Sequence, residues 1–171
     1  MKRKTLEQLR KDALKLGARA AKIIPASTVK TAAWVRRKCQ FGCGGYGESL
    51  TCPPYSPSPA ETREMLKSYK KAILIQIDTD SKASISGIAR KLEREAFLAG
   101  YWKAFGMGAG PCMICEKCNL KGTCRYGEKA RPAMEACGID VFTTVRANGF
   151  PIDTLDSADR KAHYYGLVLV E

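Results

Sequence analysis

Five of the eight cysteines of this chain lie in one stretch, GMGAGPCMICEKCNLKGTCRYGEKARPAMEACG, residues 106–138. The first three follow one another in C-x2-C-x2-C spacing, which folds a short loop around one metal centre. Iron–sulfur ligation by such a run, completed by a more distant cysteine, is a known pattern. The stretch is therefore predicted to be a metal or cluster loop over residues 108–137, with these candidate ligands: Cys112, Cys115, Cys118, Cys124 and Cys137.

A second cysteine group lies upstream, in CQFGCGGYGESLTCPPYSPSP. Its many glycines and prolines make a regular element unfavourable, so residues 39–57 are predicted to form a loop. A loop this long needs something to order it, and a bound metal would do so. The alternative is a loop pinned by Tyr46 and Tyr55 with inert thiols. The candidate ligands are Cys39, Cys43 and Cys52.

Eight cysteines allow two four-sulfur sites, one seeded by each group. Cys124 and Cys137 remain to complete them, and either could serve either site, because distal cysteines cross between clusters in two-cluster ferredoxins. A different arrangement leaves one site with three thiolates and an open iron, as in catalytic metal sites. Cys137 also fits a buried, inert core thiol, since it lies among small and apolar residues.

The spacing favours iron–sulfur over zinc, because structural zinc sites usually come as paired C-x2-4-C elements well apart in sequence. The chain has eight cysteines and a single histidine, His163, which also favours ligation by sulfur alone. His163 itself is interpreted as a packed or surface residue. The expected cofactors are one or two 4Fe-4S clusters, with zinc as the alternative.

Length and composition indicate one soluble globular domain. The chain has 171 residues, of which 45% are hydrophobic, and these suffice for a core. No apolar run approaches the roughly 18 residues of a membrane span. The first residues, MKRKTLEQLRKDALKLG, contain no apolar signal region, so a cytoplasmic, reducing location is expected, where disulfides are rare. We therefore expect a single metal-binding domain, residues 1–171.

The net charge of +12 is concentrated near the N-terminus. Residues 1–38, a basic N-terminal arm with a helix, carry 12 Lys/Arg and two Asp/Glu. Such an arm fits an acidic redox protein partner, or less readily nucleic acid, and is equally compatible with a solvated helix face. Arg125 and Arg131 flank the cluster loop and either neutralise cluster charge or are solvated.

Hydrophobic periodicity and capping signals predict an α/β fold with a mixed sheet flanked by helices. Thr5 with Gln8, and Ser58 with Glu61, are typical of capping boxes. Helices are predicted over residues 6–16, 59–70, 85–99 and 131–137. Strands are predicted within residues 20–30, as an edge strand because of Pro25, and over residues 72–78, 101–107, 139–146 and 164–170.

The chain resembles a family of cysteine-rich, predicted metal-binding proteins of anaerobic microbes. The resemblance covers most of the chain from about residue 30 and includes the C-terminal YYGLVLVE. Tyr126-Gly127 departs from the pattern, where a proline is expected soon after the arginine. The resemblance implies iron–sulfur or other metal ligation and no particular reaction. The matching pieces are CQFGCGGYGESLTCPPYSP (39–57), GAGPCMICEKCN (108–119) and CRYGEKARPAMEACGIDV (124–141).

Three functions are compatible with these features. The first is an iron–sulfur protein that passes electrons to or from a partner enzyme. The second is an enzyme or sulfur-handling protein with an open-site cluster, so enzymatic activity stays an open question. The third is a zinc-stabilised interaction or nucleic-acid-binding module. In each case residues 39–57 and 108–130 are expected to be disordered without metal, because they lack periodic apolar content.

Overall fold

The computed structural model describes residues 4–157 and 160–171. Within these ranges the chain forms helices, strands and two 3-10 turns, and both cysteine-rich segments lie largely outside them. The helices are α1 (Leu6–Lys15), α2 (Ala33–Gly42), α3 (Pro59–Leu66), α4 (Ile85–Leu98) and α5 (Val141–Ala147). The strands are β1 (Ala20–Pro25), β2 (Lys71–Asp78), β3 (Phe105–Met107) and β4 (His163–Leu169), and the 3-10 turns are Ala26–Thr28 and Glu135–Cys137.

The four strands form one sheet in the order β1-β2-β4-β3, with every adjacent pair antiparallel. The predicted α/β class is confirmed, and the pairing is antiparallel instead of mixed. The reason lies in the C-terminal strand. Strands β2 and β3 are joined through α4 and run in the same direction, but β4 inserts between them and pairs antiparallel with both. The sheet thus contains a split β-α-β unit.

Both faces of the sheet are covered, which gives three layers. Ile73, Ile75 and Ile77 of β2 face α1 and α4 in one core cluster. Ala72 and Leu74, on alternate positions, face a second cluster that includes residues of α3, α5 and the turn at Glu135–Cys137. This alternation explains why β2 is an almost continuous apolar run, as expected for a strand buried on both faces.

Several sequence predictions are confirmed. Both capping boxes form, with Thr5 and Ser58 as N-caps of α1 and α3. Helix α4 and strands β2 and β4 lie where they were predicted, and β1 is an edge strand that ends at Pro25. Helix α3 ends at Leu66 instead of continuing to residue 70. No helix in the described part of the chain has the length and apolarity needed to span a bilayer.

The strand predicted over residues 139–146 is wrong, because this segment forms α5. The Asp140 side chain caps the helix by accepting a hydrogen bond from the backbone N–H of Thr143, at 3.0 Å. Val141, Thr144 and Val145 are buried, which is the i, i+3, i+4 pattern of a helix face. The β-branched residues favoured a strand, and the cap together with core packing outweighs that preference.

Three further elements differ from the prediction, and the first of them, α2, was not predicted. Helix α2 extends through Cys39 to Gly42, so the first cysteine lies on a helix and the loop begins later than residue 39. The strand predicted over residues 101–107 is reduced to Phe105–Met107. The helix predicted over residues 131–137 is a single 3-10 turn, Glu135–Cys137.

Candidate metal centre

Residues 133–140 form the structural base from which both cysteine segments extend. The backbone N–H of Gly108 donates to Pro132 O at 2.9 Å, and Met134 N donates to Gly108 O at 2.9 Å. These two bonds close the cysteine loop 109–132 where it leaves and rejoins the sheet edge. On the other side, Ala32 N donates to Gly138 O at 2.9 Å, which places the start of α2 beside the same segment.

Arg36 on α2 ties the upstream cysteine segment to this base. Its guanidinium donates to Ser56 O and to Ala136 O, both at 3.1 Å. The Ser56 hydroxyl donates to Ala136 O at 2.6 Å. Thr62 of α3 donates to Cys137 O at 2.7 Å. The 3-10 turn is therefore held by side chains from α2, from α3 and from the segment between them.

One group of four thiols surrounds a small cavity. Cys112, Cys115, Cys118 and Cys124 line a space of about 20 Å³, and residues 49–51 close its wall. The backbone N–H of Leu50 lies 3.4 Å from Cys118 Sγ and donates to it. Hydrogen bonds to sulfur are among the features that tune thiolate-bound clusters. A volume of this size admits one ion or one water molecule.

A second group of three thiols lies at a larger cavity of about 450 Å³. Cys39 reaches it from the last turn of α2, and Cys43 and Cys52 from the following loop. Cys43 Sγ accepts a hydrogen bond from Gly45 N at 3.4 Å. Burial raises the pKa of the Cys39 thiol, and the neighbouring thiols and the Glu135 carboxylate raise it further. These groups are therefore close enough to affect one another's ionisation.

Cys137 lies apart from both cavities. It is fully buried in the core cluster that also contains Met134 and Ile139. Burial raises the pKa of its thiol to about 12, so the thiol is neutral at physiological pH. Its position corresponds to the interpretation as a core thiol that the sequence also allowed.

Within residues 4–157 and 160–171, no three Cys, His, Asp or Glu side chains converge closely enough to hold a metal ion directly. The donor chemistry nevertheless fits a soft metal or an iron–sulfur cluster, since four thiols share one cavity and three share another. Coordination requires the thiols of each group to move inward. The segments that carry them can do so, because most of their residues lie outside helices and strands.

The two arginines that flank the cysteine loop differ in their surroundings. Arg131 forms a bidentate ion pair with Glu93 of α4, with both nitrogen–oxygen distances at 2.6 Å. It therefore holds the end of the loop against a helix and is not a free cation near the thiols. Arg125 is exposed and donates to Lys117 O at 3.3 Å within the loop.

Glu135 is a residue of the site that the sequence analysis missed. It lines the larger cavity together with the three thiols. Its Oε2 atom is buried and has no hydrogen-bond partner in the described part of the chain. The one local signal is a carboxylate two residues before a cysteine in an otherwise apolar segment, MEAC, and this signal is weak without the fold.

Comparison with known proteins identifies the family of the chain. The family model DUF2284, predicted metal-binding protein, matches residues 22–170. No curated protein and no solved structure matches the chain. The match spans both cysteine segments and the sheet except for the first two residues of β1.

Proposed function

Since the chain belongs to DUF2284, a family of predicted metal-binding proteins, we propose that it is an iron–sulfur protein that exchanges electrons with a partner protein. The observation that carries the proposal is the grouping of seven cysteines at two cavities. Cys137 is proposed as a core thiol and not as a ligand. The first centre would be held by Cys112, Cys115, Cys118 and Cys124, and the second by Cys39, Cys43 and Cys52 with one further ligand.

The two centres would lie close together, which suits electron exchange between them. Leu50 donates to Cys118 Sγ at the first cavity, and Cys52 lines the second. Two residues of extended chain span at most about 7 Å, so the sulfurs of Cys52 and Cys118 lie within roughly 15 Å of each other. When bound, iron–sulfur clusters supply reversible one-electron oxidation and reduction.

The surface around both groups supports docking to an acidic partner. Phe41, two residues from Cys39 and from Cys43, is 81% exposed, and Met113, which follows Cys112, is 84% exposed. Exposed basic residues occur in the same two chain segments, and a combination of apolar centre and charged surroundings is typical of transient interfaces. The basic residues are Arg37, Lys38, Lys117, Lys121 and Arg125. Those of α1, in contrast, lie on the opposite face of the sheet.

Purification without oxygen tests the proposal. A brown protein with about 8 iron and 8 sulfide per chain is expected for two four-iron clusters. Cys112→Ser and Cys43→Ser should each remove one centre, and Cys137→Ala should leave both in place. A protein without iron and without zinc that keeps its full heat resistance would refute metal binding. Charge reversal at Lys117 and Lys121 should weaken partner binding at low salt and have little effect at high salt.

The cavity at Cys112, Cys115, Cys118 and Cys124 favours a second candidate, a zinc-stabilised interaction module. Its volume of about 20 Å³ is closer to that of one ion than to that of a four-iron cluster. Four thiolates in tetrahedral geometry are a standard structural zinc site. A colourless protein with stoichiometric zinc would favour this candidate over the first.

A further inference from the structure

We propose that the Glu135 carboxylate is the fourth ligand of the centre held by Cys39, Cys43 and Cys52. This inference rests on the proposed function and adds to it an oxygen ligand in a thiolate site. It starts from the buried Oε2 atom of Glu135, which has no hydrogen-bond partner in the described part of the chain. A buried, unpartnered carboxylate oxygen is unfavourable by itself and is explained if it binds a cation.

The position of Glu135 matches this role. Glu135 is partly exposed, and it lines the larger cavity together with the three cysteines. The Arg36 guanidinium donates its hydrogen bonds to oxygens of Ser56, Pro57 and Ala136. Arg36 therefore does not satisfy the buried Oε2 atom of Glu135.

Cys137 is a poorer fourth ligand than Glu135. The two residues are two positions apart in a 3-10 turn, where successive side chains are rotated by about 120°. One of them can face the cavity while the other faces away from it. Cys137 is the one in the core, with no exposed surface. Cys124 lines the other cavity, so it is already grouped with three thiols.

A carboxylate is chemically competent in this position. Asp and Glu oxygens bind zinc together with thiolates in known site types, and iron also accepts oxygen ligands. Three thiolates and one carboxylate carry the same total charge as four thiolates. The oxygen is a harder ligand than sulfur, so the centre would differ from the all-thiolate centre in reduction potential and in spectrum. The four ligands also leave no vacant position, which argues against a permanently open metal site here.

Metal content and spectra of four variants test the inference in the full-length chain. Glu135→Gln and Cys39→Ser should each lose the metal of one centre. Glu135→Cys should retain that metal, with a spectrum shifted toward all-thiolate ligation. Glu48→Gln, which changes an exposed carboxylate on the loop between Cys43 and Cys52, is the control and should keep both centres unchanged. Metal-free Glu135→Gln should melt at the same or a higher temperature than the metal-free parent, because it removes an unpartnered buried acid.

The outcomes separate this inference from the function on which it rests. Full metal content and an unchanged spectrum in Glu135→Gln would overturn the role of Glu135 and leave the iron–sulfur proposal intact. Equal metal loss in Glu135→Gln and Glu135→Cys would indicate a structural effect and would also overturn it. A parent protein without metal would refute both proposals together. If circular dichroism shows that Glu135→Gln does not fold, Glu135→Cys provides the test. Retained metal in Glu135→Cys supports the role of Glu135, and lost metal overturns it.

Discussion

The Arg131–Glu93 ion pair should contribute strongly to stability, because it joins the end of the cysteine loop to α4 with little access to solvent. The side chains are 17% and 14% exposed. Arg131 also donates to Gly127 O and Ala130 O at 2.9 and 2.7 Å, and Glu93 also accepts from Gly106 N at 2.7 Å. Arg131→Met removes all of the arginine bonds and leaves the Glu93 carboxylate with one partner.

The expected loss is about 3 kcal/mol in the free energy of unfolding. Removing one partner of a buried ion pair costs about 3–5 kcal/mol, and the residual exposure here places the value at the lower end. For a chain of this size that corresponds to a decrease of about 6–12 °C in melting temperature. Urea unfolding and thermal melts of the metal-free protein measure it. Lys67→Met is the control, since Lys67 and Glu64 are 68% and 72% exposed and should contribute less than about 1 kcal/mol.

A double-mutant cycle decides whether the pair itself is responsible. Glu93→Gln and Arg131→Met should be strongly non-additive, with a coupling energy of about 1.5–3 kcal/mol. If the two changes add, or if Arg131→Met costs no more than Lys67→Met, the stabilising role assigned to this pair is refuted. Glu93 would then contribute to stability only through the hydrogen bond that it accepts from Gly106 N.

Three other outcomes are expected from the structure. In folded, metal-free protein, alkylating reagents should modify the six cysteines that are at least partly exposed and spare Cys137, whose thiol is buried and neutral; mass spectrometry detects any modification. Removing metal by chelation should increase proteolytic cleavage within residues 43–57 and 109–132, and equal cleavage with and without metal would contradict this. Gly138→Ala should lower the free energy of unfolding by about 1–3 kcal/mol, because Gly138 has φ +74° and an added Cβ would clash with Pro59, as denaturant unfolding would report.

The elements that sequence reasoning located well are those where several local signals agree. Strand β2 combines a continuous apolar run with β-branched residues, and it is buried on both faces of the sheet. Helix α4 repeats apolar residues at helical spacing, with Gly100 shortly after its end. Helices α1 and α3 begin at side chains that form capping boxes. In each case local preference and tertiary packing favour the same structure.

The errors occur where local preference and packing disagree. Residues 141–147 contain valines and threonines that favour a strand, yet the Asp140 cap and the core place them in a helix. Helix α2 has no side-chain cap and includes Gly42, so little in its sequence predicts a helix. Its position is fixed instead by tertiary bonds, chiefly those from Arg36 to Ser56 and Ala136. Such long-range contacts cannot be inferred from spacing along the chain.

The candidate site shows the same division. Cysteine spacing predicted a group at Cys112, Cys115 and Cys118, and these thiols share a cavity. Spacing left Cys124 and Cys137 ambiguous, since one sequence separation is compatible with several folds. The structure places Cys124 beside the first group and Cys137 in the core. Glu135 had only a weak sequence signal, because its relation to Cys39 depends on α2 packing against the 3-10 turn.

The separation between core and site has a consequence for the metal-free protein. The two core clusters are built from α1, α4, the sheet, α3 and α5, and Cys137 is the only cysteine that either contains among the described residues. Small zinc-dependent domains unfold without metal because metal binding supplies their folding free energy. Here buried apolar area supplies it. Loss of metal should therefore release the cysteine loops while far-UV circular dichroism stays nearly unchanged, and collapse of the helical signal on chelation would show that the centres hold the core together.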